Sequence, residues 1–154
     1  MAEAATIKAD EGRRGRSPGG EVIVTRRARF NAAHRLHNPD KSESWNLERF
    51  GRCNNVNWHG HNYTVEVSVK GRPDPETGCV INLDYLKKLM DEVIVEPCDH
   101  KNLNLDVEFL KGMIPSTENL AVAIWDAMKP HIHEGKLYSV RIHETENNTV
   151  EYRG

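Results

Sequence analysis

The chain has 154 residues, 29% of them charged and 38% hydrophobic, which is enough for one soluble domain with a real core. Its formal net charge of -2 leaves no basic excess of the kind general nucleic-acid binding requires. No apolar run reaches bilayer length and the N-terminus carries no apolar signal core, so a cytoplasmic protein without membrane or nucleic-acid partners is expected.

Residues 1–20, with Arg13-Arg14-Gly15-Arg16-Ser17-Pro18-Gly19-Gly20, contain almost no large apolar side chain and are expected to form a disordered tail ahead of one domain over 21–154. From Glu21 the pattern turns strand-like: Val22, Val24, Ala28, Phe30, Ala32 and His34 share a face, with Arg26 as the exception. Residues 35–58 read as a long polar connection containing Pro39, Gly51 and several asparagines.

A second strand opens at His59. His61, Tyr63, Val65, Val67 and Val69 alternate with Asn62, Thr64, Glu66, Ser68 and Lys70, so His59 and His61 lie on the apolar face. Two imidazoles there can be core histidines bonded to backbone, since a buried polar group needs a partner. If the first strand pairs with this one, His34 becomes a third imidazole beside them, and three histidines with an open fourth position describe a catalytic zinc site. Cys53 reaches the same place across an Asn-rich loop, either as a base or nucleophile with its pKa lowered by the cation and Arg52, or as a fourth ligand that closes the site. The other cysteines, Cys79 and Cys98, are distant, so all three read as free thiols.

Gly71 to Gly78 is a turn, and Cys79-Val80-Ile81 reads as a short strand. Asn82 caps a helix with Leu83, Leu86, Leu89, Met90 and Val93 at helical spacing, closed by Pro97. Asp99-His100 follows at the helix exit, as turn chemistry or as a carboxylate orienting a proton-exchanging imidazole. A second helix starts at Ser116 or Thr117, buries Leu120, Ala123, Ile124, Ala127 and Met128, and ends by Pro130; His131 and His133 beyond it are expected on the surface. Tyr138, Val140 and Ile142 form one face of a strand that ends in Glu144, either on that face or in the following loop, and Val150 and Tyr152 return as a hairpin. The result is an α+β fold: an antiparallel four-stranded sheet with two helices on one face.

Taken together, His34, the Cys53-X5-His59-Gly60-His61 motif, Asp99-His100-Lys101-Asn102, Thr117-Glu118-Asn119 and Glu144 closely resemble the 6-pyruvoyltetrahydropterin synthase family from about Val22 to Tyr152. The resemblance implies a tunnelling fold (T-fold), in which trimers close their sheets into a barrel and stack in pairs as a homohexamer with sites between subunits. It implies a lyase of tetrahydrobiopterin biosynthesis that converts 7,8-dihydroneopterin triphosphate to 6-pyruvoyltetrahydropterin with loss of triphosphate. It makes His34, His59 and His61 the zinc ligands, Cys53 the catalytic thiol, Asp99 and His100 its proton-relay partners, and Glu144 the pterin-gripping carboxylate, with Thr117 and Glu118 also at the substrate. Ser116 and Trp58 depart from the family, which often has Thr and a smaller residue there; the triphosphate needs cationic contacts, for which Arg26, Arg27, Arg29 and Lys101 are the unranked candidates. The alternatives are 6-carboxytetrahydropterin synthase, which resembles a Cys-X3-His-Gly-His spacing, and a non-catalytic pterin- or zinc-binding protein.

Overall fold

A computed structural model describes residues 19–154, so the expected tail lies, up to residue 18, outside the described residues. Two long strands, β1 (Val22–His34) and β2 (His59–Gly71), pair antiparallel over their whole length, with Val22 opposite Gly71 and His34 opposite His59. Alternation dictates the sides. Phe30, Ala32 and His34 on β1 and Tyr63, Val65, Val67 and Val69 on β2 are buried against the helices, while Arg27, Arg29 and Asn31 face the other way. β4 (Lys136–His143) joins β2, and β5 (Thr149–Tyr152) closes the hairpin.

The sheet has five strands rather than four, in the order β3-β1-β2-β4-β5. The extra one, β3 (Lys101–Asn102), runs parallel to Ala32–Ala33 of β1. Two residues carry no readable alternation, and the strand exists because it lies along an open backbone edge: His100 N donates to Asn31 O at 2.7 Å and Leu103 N to Ala33 O at 2.8 Å. A bulge between Ser68 and Val69 shifts the register of β4, so Leu137 meets Val69 and packs on the core, whereas Tyr138, expected on that face, turns toward Lys70 and Arg153. The expected strand at Cys79-Val80-Ile81 is absent. Cys79 O accepts from Asp74 N at 2.9 Å within its own turn, which removes it from any ladder, although Val80 and Ile81 are still buried.

The connection over 35–58 also departs from expectation, since it contains helix α1 (Glu43–Phe50) followed by a 3-10 turn, Gly51–Asn54. Ser42 caps α1, and the one buried side chain of the helix is Asn46, whose amide donates to Asn38 O, Lys41 O and Ser42 O. Helix α2 (Leu83–Met90), capped by Asn82, continues through a π-helical turn, Asp91–Val95, into a last α turn, Glu96–Cys98. Pro97 therefore does not close the helix at Pro97 itself. It has no N–H to donate, the widened turn precedes it, and the altered phase buries Ile94 where Val93, only half-buried, was expected. Helix α3 (Thr117–Met128) is capped by Ser116 and packs on β4 and β5, burying Leu120, Ala121, Ala123, Ile124, Trp125 and Met128. Burial of each large apolar side chain on this face contributes about 1.5–3 kcal/mol. Among the described residues no helix is long and apolar enough to cross a membrane.

Candidate metal centre and active site

The β1–β2 register brings the three histidines together. His34 and His59 are direct cross-strand partners, His61 lies one step along the same face, and their donor nitrogens all fall within 4.8 Å of one another. His34 is buried, and its Nδ1 lies 2.8 Å from Pro115 O. A carbonyl only accepts, so Nδ1 carries the proton and Nε2 presents its lone pair to the other two rings. That Nε2, and both ring nitrogens of His59, are buried without a hydrogen-bond partner. Glu144 Oε1 stands 3.8 Å from His34 Nε2 and 3.9 Å from His61 Nε2, too far to satisfy them. Buried imidazole nitrogens converging without partners fit a metal ion, which would use those lone pairs. Burial above all holds the His34 and His59 pKa values below the ordinary range, which keeps the rings neutral as ligands must be.

Gly60, between His59 and His61, is required by the pairing. A Cβ there would lie 2.8 Å from Ala32 O and 3.3 Å from Ala33 Cα, both backbone. Gly60→Ala is expected to destabilise the fold by about 2 kcal/mol, roughly 5 °C in Tm, and to lower bound metal by parting the strands that carry His34 and His59. A thermal melt with metal analysis checks this, and an unchanged Tm would show that the strands separate freely. Trp58, just before His59, has φ 68, a left-handed backbone that a bulky side chain rarely adopts and a glycine adopts readily.

Glu144 follows the end of β4, in the loop rather than on the strand face, and its carboxylate accepts from Thr117 Oγ1 at 2.7 Å. Thr117 belongs to the first turn of α3, so the helix start and the end of β4 meet beside the histidines. Glu118 is exposed to solvent. Cys53 sits half-buried on the 3-10 turn, within electrostatic range of Glu144. Burial first and the Glu144 charge second push its thiol up, the reverse of the lowering expected from Arg52, whose side chain is exposed.

Asp99 and His100 are held elsewhere. Asp99 Oδ2 lies 2.8 Å from His100 Nδ1, and Asp99 Oδ1 accepts from Asn31 N at 2.8 Å; that backbone bond leads the causes holding its carboxyl below the usual range. The His100 side chain is 84% exposed, with a left-handed φ of 58. Among the described residues nothing joins this pair to Cys53 or to the three histidines. His131 and His133 are exposed, as expected.

The family model described as 6-pyruvoyl tetrahydropterin synthase matches residues 23–154. The chain belongs to that family. It is 50% identical over 134 residues to 6-pyruvoyl tetrahydrobiopterin synthase of Homo sapiens, covering 87% of this chain and 92% of that one. The enzyme of the same name from Poecilia reticulata is 51% identical over 140 residues, covering 90% and 95%. The solved 6-pyruvoyl tetrahydropterin synthase of Caenorhabditis elegans superposes with a TM-score of 0.83 at 42% identity, covering 88% of this chain and 96% of that one. The α+β T-fold expected from the motifs is thus the observed fold, with one short strand added to the sheet.

Pattern reading missed Asn54, Asn104 and Arg35, which tie the Cys53 turn to the rest of the site. The signal available was density of asparagine around Cys53 and Asp99, a residue type that bonds backbone in loops.

Proposed function

We propose that the protein is a zinc-dependent lyase that converts 7,8-dihydroneopterin triphosphate to 6-pyruvoyltetrahydropterin with elimination of triphosphate, in tetrahydrobiopterin biosynthesis. The observation that carries this reading is the set of partnerless buried nitrogens on His34 and His59, beside a carboxylate held by Thr117. His34, His59 and His61 would hold the zinc, which supplies Lewis-acid polarisation of a substrate oxygen and acidifies the neighbouring C–H bond. Cys53 removes that proton. Glu144 accepts from the amino group and ring N–H of the pterin, a planar donor pair that suits a carboxylate, exchanging its Thr117 contact for the ligand, with Glu118 as a further substrate contact. Asp99 orients His100, which returns protons.

A cleft of about 570 Å³ reaches one of the three histidines, His61, and is lined also by Glu144, Arg27, Arg29, Thr64 and His143 among others. Arg27 is neutralised by Glu66, so of Arg26, Arg27, Arg29 and Lys101 the favoured triphosphate contact is Arg29, which lines the cleft without a carboxylate partner among the described residues. The solvent-facing Asp99–His100 pair and the exposed Leu47, Val56 and Leu105 favour association with a neighbouring subunit that brings His100 to Cys53; the cytoplasmic homohexamer, a dimer of trimers, is the assembly that the family resemblance implies.

The test is mass-spectrometric product analysis on zinc-loaded protein given 7,8-dihydroneopterin triphosphate. Triphosphate release with a three-carbon oxo side chain retained is expected. A carboxylated pterin with acetaldehyde would move the chain to the 6-carboxytetrahydropterin branch, and no turnover would leave a binding protein.

A further inference from the structure

The turn that carries Cys53 is fastened by one short run of chain, and that run starts at a metal-site histidine. Residues 35–37 follow His34 directly and contact the turn three times. Arg35 Nε donates to Asn54 O at 2.9 Å, Leu36 N donates to Cys53 O at 2.8 Å, and His37 Nδ1 lies 2.9 Å from Asn54 Oδ1. Asn54 itself is only 6% exposed, so these are interior contacts. Arg35 is held in turn from its other side: Asn104 accepts from Arg35 N through Oδ1 and donates to Arg35 O through Nδ2, both at 2.9 Å. A side-chain amide that satisfies both backbone groups of one residue fixes its orientation. The Cys53 side chain contributes nothing to this fastening, since the bonds to its residue go through the main chain.

We propose that Arg35 is a positioning residue for the Cys53 thiol: braced by Asn104 and seconded by His37, it sets the distance from the turn to the histidine cluster through Asn54 O. The inference rests on the reading of Cys53 as the reacting thiol. Its physical basis is that misplacing a reacting group by about 1 Å costs on the order of 100-fold in rate, without weakening substrate binding.

The three cysteines supply the test, because Cys79 is exposed, Cys53 half-buried and Cys98 fully buried. The zinc-loaded full-length chain and its Arg35→Met variant are treated with iodoacetamide, and modification of each cysteine is followed by peptide mass spectrometry alongside zinc content and steady-state kinetics. Loss of the Arg35 donor should speed Cys53 modification several-fold with Cys98 still unreacted, and lower kcat about 10- to 100-fold with KM and zinc unchanged. His37→Leu, which removes only the His37–Asn54 contact, should show the same pattern more weakly and serves if Arg35→Met does not fold. Cys53 modified at the wild-type rate in the folded variants overturns the proposal. So does modification of Cys53 and Cys98 in step, which would report general loosening. If Cys53 labelling responds as stated while the wild-type protein turns over no pterin, the clamp stands and the catalytic reading of Cys53 falls.

Discussion

Cys53→Ala is expected to lower turnover of 7,8-dihydroneopterin triphosphate by roughly 10²- to 10⁴-fold, the range for loss of a positioned proton-transfer group, while zinc content and Tm stay at wild-type values. The scaffold should survive because Cys53 is tied to the fold by its carbonyl, which accepts from Leu36 N, and a half-buried thiol replaced by a methyl leaves little cavity. Within the chain, burial and the Glu144 charge both oppose thiolate formation, so activity should rise with pH through the thiol's ionisation. Cys53→Ser keeps the size but a hydroxyl ionises far less readily, so it should resemble alanine. Residual turnover within a few-fold of wild type in either variant would remove Cys53 from the mechanism, and simultaneous loss of zinc would make it a metal ligand instead.

The parts of this fold that alternate were legible. β1 and β2 each run for thirteen residues with a period of two, which puts His59 and His61 on one face of β2 and His34 on the apolar face of β1, and their antiparallel pairing then brings the three together. Helices α2 and α3 were legible from their caps and apolar stripes. What escaped was structure built by polar side chains. Asn46 organises residues 38–46 from a fully buried position, and no hydrophobic pattern announces it. β3 is a product of backbone edge pairing, and the bulge at Ser68/Val69 exchanges Leu137 for Tyr138 on the core face, which the alternation of Tyr138, Val140 and Ile142 does not reveal.

The candidate site divides the same way. The histidines and Glu144 are brought together by strand register and strand length, which sequence spacing encodes. Asp99 and His100 are adjacent in sequence and remain a pair in space, yet where they sit depends on how β3 docks, and that is decided by backbone bonds to Asn31 O and Ala33 O together with the Asp99 carboxylate on Asn31 N, none of which an apolar pattern announces.

Removing the metal should produce the second large effect. Because the β1–β2 register that assembles the three imidazoles exists only in the folded chain, chelation is expected to cost about 4 kcal/mol at free zinc a thousand-fold above Kd, on the order of 10 °C in Tm. His59→Ala, which deletes the ligand with two partnerless nitrogens, should bind far less than one zinc per chain and lose most of its Tm response to chelator. The chelated wild-type protein should also gain a pH dependence of definite sign. Its His34 and His59 resist protonation because they are buried, whereas in the unfolded chain they titrate near the usual value of about 6.5. Above that pH neither state binds the protons and the rings contribute nothing. As pH falls below it the unfolded chain takes up protons that the folded chain refuses, so stability declines until the folded values are passed and then levels off. Melts of chelated protein between pH 8 and pH 5 read this directly, a flat Tm showing that the imidazoles are solvated and not poised as ligands. A His59→Ala chain that retains a full equivalent of zinc would break the ligand set, because His34 and His61 alone do not make the three-nitrogen site that the β1–β2 register assembles.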